Sequence, residues 1–199
     1  MLMKYKMDLH LHSNWSDGSL GIPQLVQLAK NLGLYAISIT DHDTIAGQAE
    51  ALEEGQKLGL KVIPGVEISA FNPETGRKAH ILRFHVKDMN GLDRACRPFL
   101  EARHLKNLES IDRVIEAGYP ISHDDVKDYA SLDGTVYRQH IMHALVDRGY
   151  APAIYGPLYK KLFGSGGLAV TKASYMSAEE AVQLVCSCGG TAVLAHPFH

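Results

Sequence analysis

The sequence predicts an α/β protein with an inserted all-helical lobe, and three observations support this fold class. Short apolar runs alternate with amphipathic stretches over the first part of the chain, which is typical of βα units around a parallel sheet. From about Gly91 the pattern becomes helical, with little strand character. A capping box and one more apolar run restore the βα pattern near the end. We therefore assign residues 1–90 and 185–199 to the α/β domain and residues 91–184 to the helical lobe.

The elements of the α/β domain follow from their periodicity. Pro23 favours a helix start because its fixed φ suits the first turn, and Leu25, Ala29 and Leu32 recur on one side of that helix. The apolar runs between helical stretches are short, which is the pattern of strands. The predicted strands are Met7–Leu11, Tyr35–Thr40, Lys61–Ile63, Ala79–Val86 and Thr191–Ala195, and the predicted helices are Ile22–Leu32 and Thr44–Leu58.

Capping residues and glycines mark the helices that follow. Ser122 is a predicted N-cap with Asp125 three residues later, and Ser177 with Glu180 forms a capping box. A glycine directly after a helical pattern commonly ends the helix. The predicted helices are a long one after Gly91, one from Ser122, Tyr137–Arg148 ended by Gly149, Ala153–Phe163 ended by Gly164, and one from Ser177 to about Cys188.

Charge and composition exclude several classes of protein. Lys and Arg number 20 against 22 Asp and Glu, so no basic field favours binding of duplex DNA. No run reaches the roughly 18 apolar residues of a membrane span, and the start lacks the apolar stretch of a signal peptide. The three cysteines have no CxxC spacing, which argues against a disulfide framework and a zinc ribbon. We expect a cytoplasmic protein without membrane contact.

The 11 histidines are the unusual feature, and several stand with carboxylates at the ends of predicted strands. In parallel α/β barrels the carboxyl ends of the strands meet at one mouth, where active sites lie. Clusters that are distant in sequence would therefore converge. The residues concerned are His10 and His12 after the first strand, His42 after the second, Glu67 after VIPGV, His80 at the fourth, and His196 after TAVLA.

Spacing connects this cluster to metal binding. Residues i and i+2 of a strand point to the same face, so His10 and His12 present two imidazoles to one point. Imidazoles bind borderline divalent metals, and a carboxylate such as Glu67 can bridge two ions. A partly buried polar pair is the commoner meaning of H-x-H alone. The whole set favours metal, because unpaired polar groups gathered at one face would be costly.

Three further candidate functional features are supported by weaker sequence evidence. Asp17 lies in S-D-G, which is equally typical of a loop aspartate that caps its own backbone. Arg138 and His140 open a predicted helix and could bind an anion at its N-terminus, or could only cap and pair. The stretch from Arg77 to Lys106 is rich in Lys and Arg, which indicates either a solvated helix face or a rim that attracts phosphate.

Five motifs together resemble the PHP family, named for polymerase and histidinol phosphatase domains. They are D-L-H-L-H-S-x-x-S-D-G at residues 8–18, I-T-D-H-D-T at 39–44, P-G-V-E-I-S at 64–69, H-I-L from His80, and A-H-P at 195–197. The chain is most similar to free-standing bacterial phosphoesterases with a helical insertion, which act on nucleotides or short RNA. Their R-P-H-x-x-x-A-L helix start corresponds to Arg138, Gln139 and His140 here, with glutamine in place of proline.

The resemblance implies a fold and a set of ligands. The family fold is a distorted (β/α)7 barrel that holds up to three divalent ions, commonly manganese, iron or zinc. Carried over by position, His10, His12 and Glu67 would hold one ion, Glu67, His80 and His196 a second, and Asp17 and His42 a third. Asp17, His42 and Glu67 are the residues that we assign to catalysis, and Arg138 and His140 those that we assign to substrate phosphate.

One departure from the family concerns the end of the chain. The last family motifs, G-hydrophobic-E and G-S-D-x-H, follow A-H-P, and this chain stops at His199. We expect a C-terminally incomplete barrel with open strand edges, either a fragment of a longer polypeptide or a degenerate member. Loss of one aspartate and one histidine would weaken the first and third ions and could leave this form inactive.

The predicted function is hydrolysis of nucleoside phosphate monoesters by metal-bound hydroxide. Clustered divalent ions activate water and stabilise both oxygens of an in-line displacement, and no activated serine or cysteine nucleophile is evident. The substrate would be a nucleotide, a 3′,5′-bisphosphate nucleotide, or short RNA cut by a 5′–3′ exonuclease, with Arg138 and the basic stretch near Arg77 and Lys78 favouring a phosphate beyond the scissile one. The alternatives are a histidinol-phosphatase-like enzyme and a non-catalytic metal-binding module.

Overall fold

The computed structural model describes residues 6–85, 88–172 and 174–197. Strands and helices alternate through the first part of the chain, as predicted. In chain order the elements are β1 (Met7–Leu11), α1 (Ile22–Asn31), β2 (Ala36–Ile39), α2 (Gln48–Leu58), β3 (Lys61–Val62), β4 (Gly65–Phe71), β5 (Lys78–Phe84), α3 (Met89–Glu116), α4 (His123–Lys127), α5 (Arg138–Asp147), α6 (Pro157–Phe163), β6 (Met176–Ser177), α7 (Ala178–Ser187) and β7 (Thr191–Leu194). Val86, the last residue of one predicted strand, lies outside the described residues.

The chain divides into two compact units. Unit 1 consists of residues 1–99 and 175–199, and unit 2 of residues 100–174. The sequence placed the limits of the helical lobe at 91 and 184 instead. The second limit differs because α7 belongs to unit 1, where Ala181 and Val185 are buried in one apolar cluster with Val66 and Ile68 of β4.

The strands of unit 1 form two sheets. The first has the order β1-β2-β3 and is parallel. The second has the order β6-β4-β5-β7, in which β5 is antiparallel to both of its neighbours and β6 is parallel to β4. The fold is therefore a mixed α/β fold, and the described strands do not close into a barrel.

The hairpin of β4 and β5 corrects the prediction of continuous βα alternation. The sequence placed Glu67 after a strand that ends at Ile63, but Glu67 lies inside β4 and pairs with Leu82 of β5. The chain reverses at a tight turn in which the side-chain oxygen of Asn72 accepts hydrogen bonds from the backbone amides of Glu74 and Thr75. Residues 65–70 are all buried, so they do not show the alternation by which a half-exposed strand is recognised.

Helix α1 packs its apolar side on the parallel sheet. Ile22, Val26 and Ala29 are buried in one cluster with Ile37 and Ile39 of β2. This confirms the predicted amphipathic helix, which ends one residue before the predicted Leu32. The packing fixes α1 behind the strands whose carboxyl ends carry the candidate ligands.

Unit 2 contains only helices within its described residues. Its core includes Ile111, Val126, Ile141, Leu145 and Leu162, which come from four different helices. The predicted N-cap at Ser122 is confirmed, since its side chain accepts the amide of Asp125. Helix α6 begins at Pro157, later than the predicted Ala153. Among all the described helices, none combines the length and the apolar character needed to cross a bilayer.

Candidate metal centre

The carboxylate of Glu67 lies at the centre of a ring of imidazoles in unit 1. Glu67 is only 1% exposed. Its Oε2 lies 3.0 Å from His10 Nε2 and 2.9 Å from His12 Nε2. Its Oε1 lies 2.8 Å from His80 Nδ1 and 3.0 Å from His196 Nε2. Each carboxylate oxygen therefore has two imidazole nitrogens within 3.0 Å.

A second carboxylate, that of Asp17, extends the cluster on the side of His12. Asp17 Oδ1 lies 3.3 Å from His12 Nδ1, and Asp17 Oδ2 lies 3.8 Å from His42 Nε2. His42 Nδ1 in turn lies 3.5 Å from Glu67 Oε2. All seven residues that the sequence suggested as metal ligands are thus brought together.

The local backbone explains why the end of β1 supplies two of these imidazoles. His10 lies in β1 and His12 directly follows it, and their ring centroids lie 5.2 Å apart. The preceding Leu9 and the intervening Leu11 pack against apolar clusters of unit 1. The alternation of strand side chains therefore divides this segment into ligand and core positions.

A backbone contact holds His42 beside Glu67. The two residues form an isolated parallel β-bridge. In this bridge the Asp43 amide donates to the Glu67 carbonyl at 3.0 Å, and the Glu67 amide donates to the Asp41 carbonyl at 3.2 Å. The bridge joins the end of β2 to β4, so ligands from both sheets have a fixed separation.

Asp41 anchors the loop that carries Asp17, a role that the sequence did not suggest. Asp41 accepts hydrogen bonds from Ser13 and Ser16, and both serines are buried. Gly18 completes the loop, since a Cβ there would lie 2.2 Å from the His12 carbonyl oxygen. In the sequence, the two serines of the S-x-x-S-D-G motif were the feature that could have indicated this role of Asp41.

The electrostatics of the cluster favour an ionised Glu67. Burial opposes the charge, but hydrogen bonds from His10, His12 and His80 hold the pKa of Glu67 well below its usual range. Burial also opposes the charge of His12, yet its pKa is raised by the hydrogen bond to Glu67 and by the charge of Asp17. The site therefore attracts positive charge, from protons or from metal ions.

The spacing of the ligand atoms fits divalent ions. Two atoms bonded to one ion at about 2.1 Å lie roughly 3.0–3.4 Å apart for octahedral or tetrahedral angles. The contacts of Glu67 with its five imidazoles, at 2.8–3.5 Å, cover that range. Among the residues that the structure describes, three groups offer one ligand atom per residue with these atoms within 4.8 Å of one another: His10, His12 and Glu67; His12, Asp17 and His42; and His42, Glu67 and His80.

A family model supplies the observation that decides the identity of this fold. The model of the PHP domain matches residues 8–185, which include six of the seven clustered residues. The chain belongs to the PHP domain family. This confirms the resemblance that the five sequence motifs indicated.

Named relatives of this PHP domain are phosphoesterases. It is 40% identical over 191 residues to phosphoribosyl 1,2-cyclic phosphate 1,2-diphosphodiesterase of Eggerthella lenta, a match that covers 96% of this chain and 73% of the relative. It is 36% identical over 197 residues to a 5′-3′ exoribonuclease of Haemophilus influenzae, covering 98% and 70%. It is 28% identical over 193 residues to the 3′,5′-nucleoside bisphosphate phosphatase of Chromobacterium violaceum, covering 96% and 66%.

A solved structure shares the fold of this PHP domain. A protein of Bifidobacterium adolescentis, described as a metal-dependent phosphoesterase, superposes with a TM-score of 0.87 at 28% identity. The match covers 98% of this chain and 68% of the other. The sequence predicted metal-dependent phosphoester hydrolysis, and the relatives confirm this class of function.

The two predicted substrate residues of the PHP domain lie in unit 2. His140 is buried, and its Nδ1 accepts a hydrogen bond from the backbone amide of Tyr137, which caps the start of α5. The guanidinium of Arg138 lies 5.3 Å from the centre of the Phe163 ring. Its Nε is buried and has no hydrogen-bond partner among the described residues. Phosphate binding by these two residues stays a prediction.

Proposed function

We propose that this chain hydrolyses phosphate esters of nucleotides or short RNA with divalent ions held around Glu67. One observation carries the proposal: each oxygen of a single buried carboxylate faces two imidazole nitrogens at 2.8–3.0 Å. A carboxylate with ligands on both oxygens is suited to bridge two ions and to balance their charge.

The seven clustered residues divide among up to three ions. His10, His12 and Glu67 would hold the first, Glu67, His80 and His196 the second, and Asp17 with His42 the third. Imidazole with carboxylate suits manganese, iron or zinc. Bound divalent ions lower the pKa of water and offset the charge of a phosphoryl group.

The protein residues keep this arrangement ready for the reaction. Burial of Glu67 excludes bulk water from one side of the cluster and makes each charge interaction stronger. Asp41 holds the loop of Asp17, and the backbone bridge holds His42 at Glu67. Hydrolysis adds the oxygen of water to phosphorus, breaks the P–O ester bond and leaves a proton on the departing alcohol. Asp17, His42 and Glu67 are the residues proposed to be essential.

The helical unit is proposed to bind an anionic group of the substrate through Arg138 and His140. Burial, and then the charges of Arg138 and Arg103, lower the pKa of Lys106 to about 7. The two guanidinium groups are therefore close enough to Lys106 to influence its charge. A guanidinium binds phosphate well because its donors match two phosphate oxygens.

Two finer features belong to the proposal. The two sheets are proposed to be part of the distorted (β/α)7 barrel that the family resemblance implies. A cyclic phosphate diester is a second candidate substrate, favoured by the 40% identity to the Eggerthella lenta diphosphodiesterase.

The test is hydrolysis by manganese-loaded protein of adenosine 3′,5′-bisphosphate, a 5′-phosphorylated diribonucleotide, phosphoribosyl 1,2-cyclic phosphate and histidinol phosphate. We expect turnover of one of the first three and its loss in Glu67→Gln. Glu53→Gln is the matched control, because Glu53 is exposed and pairs only with Lys57 among the described contacts. Metal binding without turnover of any substrate would favour a non-catalytic module.

A further inference from the structure

Side chains complete the junction between the two sheets of unit 1 beside the candidate metal centre. Three alternate amides of β4, those of Gly65, Glu67 and Ser69, donate across this junction, because alternate residues of a strand direct their amides to the same side. The middle amide donates to a backbone carbonyl of the segment after β2. The outer two donate to side chains, at 3.2 Å to Gln48 and at 2.7 Å to Asp43.

Asp43 is the residue at which the backbone pairing of this junction stops. Its amide donates to the Glu67 carbonyl at 3.0 Å, as in a parallel pair of strands. In a continued parallel pair, the next amide of β4 on this side, that of Ser69, would donate to the Asp43 carbonyl. Here the Ser69 amide donates to the Asp43 carboxylate instead. The side chain of Asp43 therefore takes the place of its own backbone carbonyl.

The backbone conformation of Asp43 explains this exchange. Asp43 has a φ of +57°, in the left-handed region that aspartate and asparagine tolerate better than most other non-glycine residues. The extended chain therefore ends immediately after His42. Among the described non-glycine residues, only His85 and His196 share a positive φ, and His196 is itself one of the clustered imidazoles. Backbone of this kind is concentrated at functional sites, where the surrounding contacts must hold it in place.

Burial connects the carboxylate contact to the position of His42. Asp43 and Ser69 are each 2% exposed, so bulk water does not replace either partner when the hydrogen bond is lost. The ring centroid of His42, the preceding residue, lies 4.6 Å from that of His12 and 5.0 Å from that of His80. A change in the backbone of Asp43 would therefore move an imidazole that lies between two other candidate ligands.

We propose that Asp43 is a positioning residue for the imidazole of His42. Its left-handed backbone turns the chain directly after His42, and its hydrogen bond to the Ser69 amide keeps that turn attached to β4. The His42 nitrogens are thereby held 3.8 Å from Asp17 Oδ2 and 3.5 Å from Glu67 Oε2. The inference rests on the proposed function insofar as His42 is a metal ligand, whereas the position of its ring can be measured without metal.

Three substitutions separate the two properties that this role requires. Asp43→Asn keeps the acceptor oxygen and the tolerance of a positive φ but removes the charge. Asp43→Gly keeps the backbone freedom without the acceptor. Asp43→Ala keeps neither, and Asp43→Gly gives the same comparison if Asp43→Ala does not fold. Asp133→Ala is the matched control, because Asp133 also accepts a backbone amide, that of Thr135 at 2.9 Å, in unit 2.

The first measurement is made without metal, by NMR on the full chain with labelled histidine rings and backbone amides. We expect the same His42 ring signal and the same slow hydrogen exchange of the Ser69 amide in the unchanged protein, Asp43→Asn and Asp133→Ala. In Asp43→Gly and Asp43→Ala the Ser69 amide should exchange about tenfold faster or more, the scale of one lost hydrogen bond. The His42 signal should shift in both, while the His10 signal stays in place.

The second measurement follows the same ring signals during a titration with zinc, so that each imidazole reports the ion that it binds. Asp43→Ala should weaken zinc binding at His42 by roughly 10- to 100-fold, the usual effect of losing a group that orients a metal ligand. Binding at His10 should stay unchanged, because its contact with Glu67 does not involve Asp43. Asp43→Asn should retain the wild-type affinity at both positions.

The outcomes separate this inference from the proposed function. A His42 signal and a Ser69 exchange rate that stay unchanged in Asp43→Ala and Asp43→Gly overturn the positioning role, even if the protein binds zinc and hydrolyses nucleotides. An equal loss at His10 and His42 also overturns it, since it shows general destabilisation. Loss in Asp43→Asn as large as in Asp43→Ala overturns it as well, because the charge would then matter and the hydrogen bond would not. Displacement of His42 in the alanine and glycine variants alone supports the inference, even in a protein without zinc binding or turnover.

Discussion

Asp41 accepts two hydrogen bonds from Ser13, one from its amide at 2.7 Å and one from its hydroxyl at 2.6 Å. The hydroxyl of Ser16 donates a third at 2.6 Å. These groups are buried, so each lost partner would leave a polar atom without water to replace it. Asp41 thus fixes the loop of Asp17 through the serines, although it stands next to His42 in sequence.

Replacing Asp41 by alanine should destabilise the protein. The Ser13 and Ser16 donors lose their acceptor, and such a loss costs about 1–3 kcal/mol of unfolding free energy. Urea denaturation with a chelator present measures this without a contribution from metal. Asp112→Ala is the control, because Asp112 is 60% exposed. Equal unfolding free energies for the two variants would show that the loop does not depend on Asp41.

Replacing His10 and His12 together by alanine should remove most bound transition metal. Both side chains face Glu67 Oε2, so the change deletes two ligands from one position. In the unchanged protein, manganese at 100 times its dissociation constant should add about 2.7 kcal/mol of stability. Elemental analysis and thermal melts with and without manganese test both effects. The control is His123→Ala, at an exposed histidine of α4, which should keep both the bound metal and the stabilisation by manganese. If the double variant also keeps both, His10 and His12 are not metal ligands.

Lys106 should make stability depend on pH. Burial and the charges of Arg138 and Arg103 lower its pKa to about 7, from 10.5 for an ordinary lysine. Between these values the unfolded chain binds the proton and the folded chain does not, so stability rises with pH from about 7 toward 10. Below pH 7 both states are charged, and the cost of burying that charge is fully present.

Lys106→Met should flatten this rise. The measurement is the unfolding free energy at pH 7 and pH 9.5, compared with that of Lys127→Met, which changes an exposed lysine of α4. The unfolding free energy should rise less between pH 7 and pH 9.5 in Lys106→Met than in Lys127→Met. Identical slopes would show that Lys106 titrates normally.

Arg138→Ala should lower kcat/KM on nucleoside phosphates by about one to two decades. A charge-assisted guanidinium contact is worth roughly 1.5–3 kcal/mol in binding a phosphate. Arg148→Ala is the control in the same helical region, because Arg148 is half exposed and pairs with Asp125. Wild-type kcat/KM in Arg138→Ala would remove Arg138 from the substrate site.

The candidate site was largely predictable from the sequence because it depends on local periodicity and residue chemistry. His10 in β1 and His12 directly after it both face Glu67 Oε2, for the same reason that Leu9 and Leu11 pack against the apolar clusters. His42 followed from the assumption that strand ends meet, Asp17 followed only from the family resemblance, and Glu67 was expected after a strand although it lies inside β4. The structure brings all three together.

The features that were missed depend on contacts distant in sequence or on buried strands. The β4–β5 pairing was not recognised because residues 65–70 are buried on both faces and show no alternation. The role of Asp41 depends on hydroxyls 25 and 28 positions away. The contact of Asp43 with the Ser69 amide joins residues 26 positions apart, and no local pattern relates the two.

The most direct test of the central claim is anomalous diffraction from crystals of the manganese-loaded protein. The account predicts two peaks beside Glu67, each about 2.2 Å from a different carboxylate oxygen. One should contact His10 and His12, and the other His80 and His196. Both should disappear in crystals of Glu67→Gln. Manganese bound elsewhere in a protein that hydrolyses nucleotides, with no peak at Glu67, would contradict the claim.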